Sequence, residues 1–129
     1  MMNGQVGIEF ITFMVLLLII LSALLYSTSS REQELIAIRS DMDVKDLCED
    51  IAFEINEAVR AGDGYKRRFY VKESLIGIKD FNITVSDYSV FINWNGKSRS
   101  CYIITSNFTG NVTKGWNIIN NTKGAIYVY

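Results

Sequence analysis

The sequence predicts an α+β protein in which one long N-terminal helix, membrane-spanning in its first half and amphipathic in its second, packs on a small antiparallel β head. Three observations predict it. Residues 10–30 contain no charge, residues 44–59 space their apolar side chains as a helix does, and the period changes to two after Gly64. The 129 residues include no proline, where ordinary usage would place about 6. Nothing of that kind therefore interrupts a long helix.

From Phe10 to Tyr26 only Thr12 and Ser22 interrupt the apolar run. As a helix, residues 10–30 would reach about 31 Å, the thickness of a hydrocarbon layer. A cleaved secretory signal is the competing reading, with Ser27-Thr28-Ser29 as a small-residue cut site. Such signals have a shorter apolar core, of about 7 to 15 residues, behind a positively charged start. Here no Lys or Arg precedes the run.

In residues 31–61, Val44, Leu47, Cys48, Ile51, Ile55, Ala58 and Val59 form one stripe, and Asp46, Glu49, Asp50, Glu54 and Glu57 lie off it. Leu35, Ile38 and Met42 form a second stripe, roughly opposite at 100° per residue. The first is expected to pack on the protein's own head and the second to meet neighbouring copies. Ser40 and Asp43 are good N-caps and allow a break there. A helix unbroken over residues 5–61 would extend about 85 Å, a length suited to bundling with copies of itself. Gly62-Asp63-Gly64 ends it on either reading.

In the head, residues 81–86 and 88–94 read as strands, Asn95-Gly96 as a tight hairpin turn and residues 100–105 as the return strand. Residues 69–71, 116–119 and 125–129 are further strands, the last two separated by a turn at residues 121–124. An antiparallel sheet of 68 residues has a thin core, and the stripe of residues 44–59 would supply the missing apolar area.

Composition narrows the function. Histidine is absent and cysteine occurs twice, which removes the commonest general base and leaves no cysteine-histidine zinc cluster. Asp41-Met-Asp43-Val-Lys-Asp46 imitates a calcium loop, but Lys45 fills a ligand slot and Asp46 stands where the turn requires Gly. Ser and Asp have no His or activated Lys with which to build a nucleophile and base, and no phosphate-cradling Gly loop occurs. No catalytic residue, metal site or cofactor is expected. Lys66-Arg67-Arg68, beside Tyr65, Phe69 and Tyr70, reads as a solvated strand entry ahead of a phosphate-binding patch, so no nucleic-acid partner is expected.

Charge is polarised. Residues 31–61 carry four bases against nine acids, a balance of −5, and residues 62–129 carry nine bases against four acids, a balance of +5. An acidic stalk and a basic head attract one another, between neighbours or within one subunit, in a salt-sensitive way.

At the N-terminus, Met1-Met2-Asn3-Gly4 forms a short polar leader, Gln5 follows, and Glu9 stands four residues later at the entry to the apolar run. A carboxylate there requires a partner or a wet location. The arrangement resembles the class III signal peptide of archaeal type IV pilin-like proteins, which a dedicated prepilin peptidase cuts between Gly and Gln. The resemblance implies a leader of residues 1–4, a polymerisation helix over residues 5–30, an amphipathic helix over residues 31–61 and a head over residues 62–129. It also implies that Glu9, fifth in the processed chain, meets the free amino group of Gln5 in a neighbouring subunit. In an apolar filament core such an ion pair offsets desolvation and fixes axial register.

Cys48 lies on the helix stripe and Cys101 in a predicted strand, so these residues either form a staple or remain two buried thiols. Asn82, Asn107, Asn111 and Asn120 each begin an Asn-x-Thr acceptor for N-glycosylation, all in the head. They fit an extracytoplasmic head, though Asn-rich turns beside Thr-rich strands produce the same pattern.

The expected function is that of a structural subunit of an archaeal type IV pilus-like filament. It would be a membrane precursor with its head outside, then an extracellular adhesive fibre polymerised through the helix. The resemblance implies the processing peptidase, an assembly ATPase, its membrane platform and other pilins as partners. The rivals are an unpolymerised single-span anchor whose head grips the cell wall or surface layer, and a minor pilin that caps or primes the fibre.

Overall fold

In a computed structural model the chain is described from Met2 to Tyr129, with side chains from Val6 onward. It forms two units, Met1–Ala37 and Ile38–Tyr129. The architecture is α+β. Helix α1 (Met2–Ala61) is followed by β1 (Lys66–Val71), β2 (Phe81–Ser86), β3 (Ser89–Trp94), β4 (Lys97–Tyr102), β5 (Phe108–Gly110), β6 (Gly115–Thr122) and β7 (Ala125–Val128).

No break occurs near Ser40 to Asp43. Residues 8–61 contain neither Gly nor Pro, and the polar side chains that could have capped a new helix are engaged elsewhere. Ser40 Oγ donates to the Ile76 carbonyl at 2.5 Å. The Asp43 carboxylate accepts from the Ile76 amide at 3.0 Å and from Lys72 Nζ at 3.5 Å. Both side chains anchor the segment between β1 and β2. The helix ends where Gly62 adopts φ +82°. Buried Asn121 donates from Nδ2 to the Ala58 carbonyl at 2.8 Å, satisfying one of the orphan acceptors at the helix end.

The stripe Val44, Leu47, Cys48, Ile51, Ile55 and Ala58 is buried, and Val59 packs against the same core in part. Its neighbours include Phe69 and Val71 of β1, Val90 and Ile92 of β3, Ile119 of β6 and Ile126 of β7. Full burial of a residue such as Ile55 contributes about 1.5–3 kcal/mol from desolvation.

The head differs from one antiparallel sheet. Its strands divide into a three-stranded sheet, β2-β3-β4, and a four-stranded sheet, β1-β6-β7-β5, in which β5 runs parallel to β7. Strand β5 carries no alternating pattern long enough to register, having only three residues. The return strand also shifts. Asn95 and Gly96 have φ of 44° and 75°, and the tight turn sets Trp94 opposite Lys97, so β4 begins at Lys97 and ends at Tyr102. Residues 103–105 lie outside it. Tyr88, expected in a strand, occupies a second such turn with Asp87, at φ of 61° and 47°.

Candidate functional site

Two regions hold chemistry: the N-terminal helix and a cleft on the head. Along the helix every described apolar side chain from Val6 to Tyr26 is exposed, with Leu16 at 54% and Leu25 at 65%. The helix is long and apolar enough to cross a membrane. Four of its hydroxyls are satisfied within the helix. Thr12 donates to the Ile8 carbonyl at 2.8 Å, Ser22 to Ile19 at 2.8 Å, Thr28 to Leu24 at 3.0 Å and Ser30 to Tyr26 at 3.2 Å. A helix can enter an apolar environment with these four groups aboard because none of the four requires water.

Glu9 is exposed and lies in the same helix as Gly4 and the Gln5 backbone. Among the described residues it has no ion-pair partner. The Gln5 side chain lies outside the described residues, and the expected pairing uses instead the amino group that cleavage before Gln5 would free. An added Cβ at Gly4 or Gly7 meets nothing within 4 Å, so neither glycine is required by packing within the chain.

Cys48 and Cys101 are joined in a disulfide, with Cα atoms 5.9 Å apart across 53 residues. It ties the amphipathic part of α1 to β4. Of the four acceptor asparagines, Asn82 is exposed on edge strand β2, with Thr84 on the same face, and Asn107 and Asn111 are exposed beside β5. Asn120 differs. It is half-buried in β6, opposite Lys66 of β1 and Tyr127 of β7. The sequence sets Asn120 beside the turn expected at residues 121–124, whereas it is paired on both sides within β6.

The charge polarity is used partly within the chain. Arg67 lies 3.7 Å from Glu54, Lys72 3.5 Å from Asp43 and Lys97 3.8 Å from Asp41, each joining head to helix within the second unit. Glu32, Glu34, Asp46 and Asp50 take part in no ion pair among the described residues.

The basic run Lys66-Arg67-Arg68 is the start of β1, and alternation divides it. Phe69 points into the core, while Arg68 and Tyr70 stand on the outer face. Register brings Tyr70 opposite Trp116 of β6. The Tyr70 and Trp116 rings meet edge to face at 5.3 Å, and the Arg68 guanidinium lies 5.2 Å from the Trp116 centroid. Phe53, Asp50 and Glu54 of α1 form the facing wall of a cleft of about 300 Å³. A hydrogen bond to Tyr65, then the Glu54 charge, hold the Arg67 guanidinium above its ordinary value. Sequence reasoning missed this cleft because it treated the bases of β1 and the Trp of β6 as separate features. The signal was present: Trp116, Tyr70 and Phe53 are large apolar residues at outward positions of their elements.

Among the described residues no group of acidic or cysteine side chains is placed to hold a metal ion. Comparison with known proteins finds no similar family model, curated protein or solved structure.

Proposed function

We propose that this protein is a non-enzymatic structural subunit of a type IV pilus-like filament, inserted in a membrane before assembly and polymerised through α1 with its head outermost. One observation carries the reading. A helix with uniformly exposed apolar side chains over residues 10–26, and a single carboxylate at its entry, needs an apolar surrounding in which that carboxylate is neutralised. Lipid supplies the first requirement. Identical helices supply both, if Glu9 meets the amino group that cleavage between Gly4 and Gln5 would free.

The exposed second stripe favours polymerisation over a lone anchor. Leu35, Ile38 and Met42 are 53%, 46% and 60% exposed beyond the length that a bilayer covers. A single-span anchor leaves them in water, whereas neighbouring shafts cover them. The processing peptidase, the assembly ATPase and its membrane platform are the partners this reading requires, and adhesion is the role that an exposed head serves.

Mass spectrometry of the chain from its native membrane and filament fractions tests the proposal. The expected N-terminal residue is Gln5, and Glu9→Ala is expected to leave the precursor in the membrane while reducing filament yield at least tenfold. An intact Met1 in every fraction, or normal filaments from Glu9→Ala, would overturn it.

A further inference from the structure

The outer cleft of the head contains groups that neither polymerisation nor the core uses. Trp116 is 65% exposed, Phe53 55% and Tyr70 51%, although each could bury large apolar area. Their aromatic surfaces converge with four charged side chains in one cleft of about 300 Å³, within the size range of small-ligand sites, roughly 300–1,000 Å³. We propose that this cleft binds a neutral, hydroxyl-rich glycan, with a sugar ring against Trp116 and Tyr70.

Charge selects the ligand class. Arg67 and Arg68 stand against Asp50 and Glu54, so the lining has no net charge. A polyanion such as a nucleic acid strand would gain two guanidinium groups and meet two carboxylates, and a polycation meets the reverse. A sugar uses both signs. Its hydroxyls donate to carboxylates and accept from guanidinium groups, while its C–H face covers an aromatic ring. One acceptor is open to a ligand. Asp50 is exposed with no ion pair among the described residues. Glu54 Oε2 is buried 3.7 Å from Arg67 and accepts no hydrogen bond, so this carboxylate acts on the cleft through its charge.

The platform is also held in position. Tyr70 buttresses Trp116 edge to face, and Arg68 lies over the indole ring, so the rotamer freedom lost on binding is already restricted. Every lining residue belongs to the second unit. Sugar binding would give the adhesive reading a ligand class, yet the unpolymerised chain carries the same cleft. Failure of assembly and failure of binding therefore read out separately.

The test uses the full chain in a sugar-free zwitterionic detergent, with Trp94→Phe so that Trp116 is the sole indole. Cellohexaose, maltohexaose, mannohexaose and chitohexaose are the probes, and acrylamide quenching of Trp116 is the readout. At least one hexasaccharide is expected to halve quenching at about millimolar concentration, the range of a single small cleft. By calorimetry on the otherwise native chain, Trp116→Ala and Asp50→Ala are each expected to weaken binding about tenfold. Both positions are exposed, so the fold persists. Absence of protection by all four sugars overturns the proposal. So does binding of a 20-residue oligothymidylate at the cleft in their place. Concentration-dependent protection of Trp116 without sugar would likewise overturn it, by assigning the cleft to a second copy of the chain.

Discussion

At the residue scale, Gly110 shows how a backbone contact can require a single amino acid. It has φ +110°, and an added Cβ would lie 2.0 Å from the Val128 carbonyl oxygen, in the parallel pairing of β5 with β7. An alanine there meets backbone atoms that cannot rotate away, as well as a disfavoured dihedral. Gly110→Ala is therefore expected to destabilise the fold by about 3 kcal/mol or more, read as a lower denaturant midpoint at an unchanged slope. Nothing in Thr109-Gly110-Asn111 announces this, since the close approach arises from a partner strand 18 residues later. Asn121 is a similar case. Its place in an Asn-x-Thr-rich stretch suggested turn chemistry, whereas it is buried with Nδ2 on the Ala58 carbonyl and Oδ1 on the Gly124 amide. Conversely Asn95-Gly96 was legible, because both turn positions require positive φ and the sequence provides the two residues that adopt it most readily.

At the element scale, the amphipathic helix was legible from its period alone, and the division of the head into two sheets was not. Val44, Leu47, Cys48, Ile51, Ile55 and Ala58 repeat at 3 and 4 and are buried together. Strand alternation fixes which face of a strand is inward but not which strand lies beside it. β1 pairs with β6 across more than 40 residues, while β2, β3 and β4 follow one another. The Cys48–Cys101 bond closes a 53-residue separation between the helix and β4. The chain-entropy model assigns such a loop about 4 kcal/mol, through restriction of the unfolded chain. Cys48→Ser with Cys101→Ser is expected to lower unfolding free energy by about that amount, measured in denaturant for the full chain in detergent, while far-ultraviolet circular dichroism remains native. The aromatic cleft also belongs to this scale. Trp116 reaches Tyr70 only through the register of β1 on β6, which sequence spacing does not contain.

At the scale of the whole molecule, the question is why the chain exposes two apolar surfaces that its own core ignores. A membrane would cover residues 10–30, but Ile38 and Met42 lie beyond them and are 46% and 60% exposed. They occupy the helical stretch where Asp41 and Asp43 are paired to Lys97 and Lys72. The acidic side is thus tied to the chain's own head while the apolar side is left outward. Apolar area of that kind would contribute about 25 cal/mol per Å² if a neighbouring shaft covered it, as the proposed fibre requires at every subunit. Ile38→Glu with Met42→Glu would place two carboxylates in the proposed contact and none in the core. The double variant is expected to keep the thermal midpoint of the detergent-solubilised monomer within about 3 °C, since surface substitutions change stability by about 0.5 kcal/mol or less. It is also expected to be processed normally, and to reduce filament yield at least tenfold. Unimpaired filaments would confine assembly contacts to residues 5–30, and a collapsed monomer midpoint would place the stripe inside the fold.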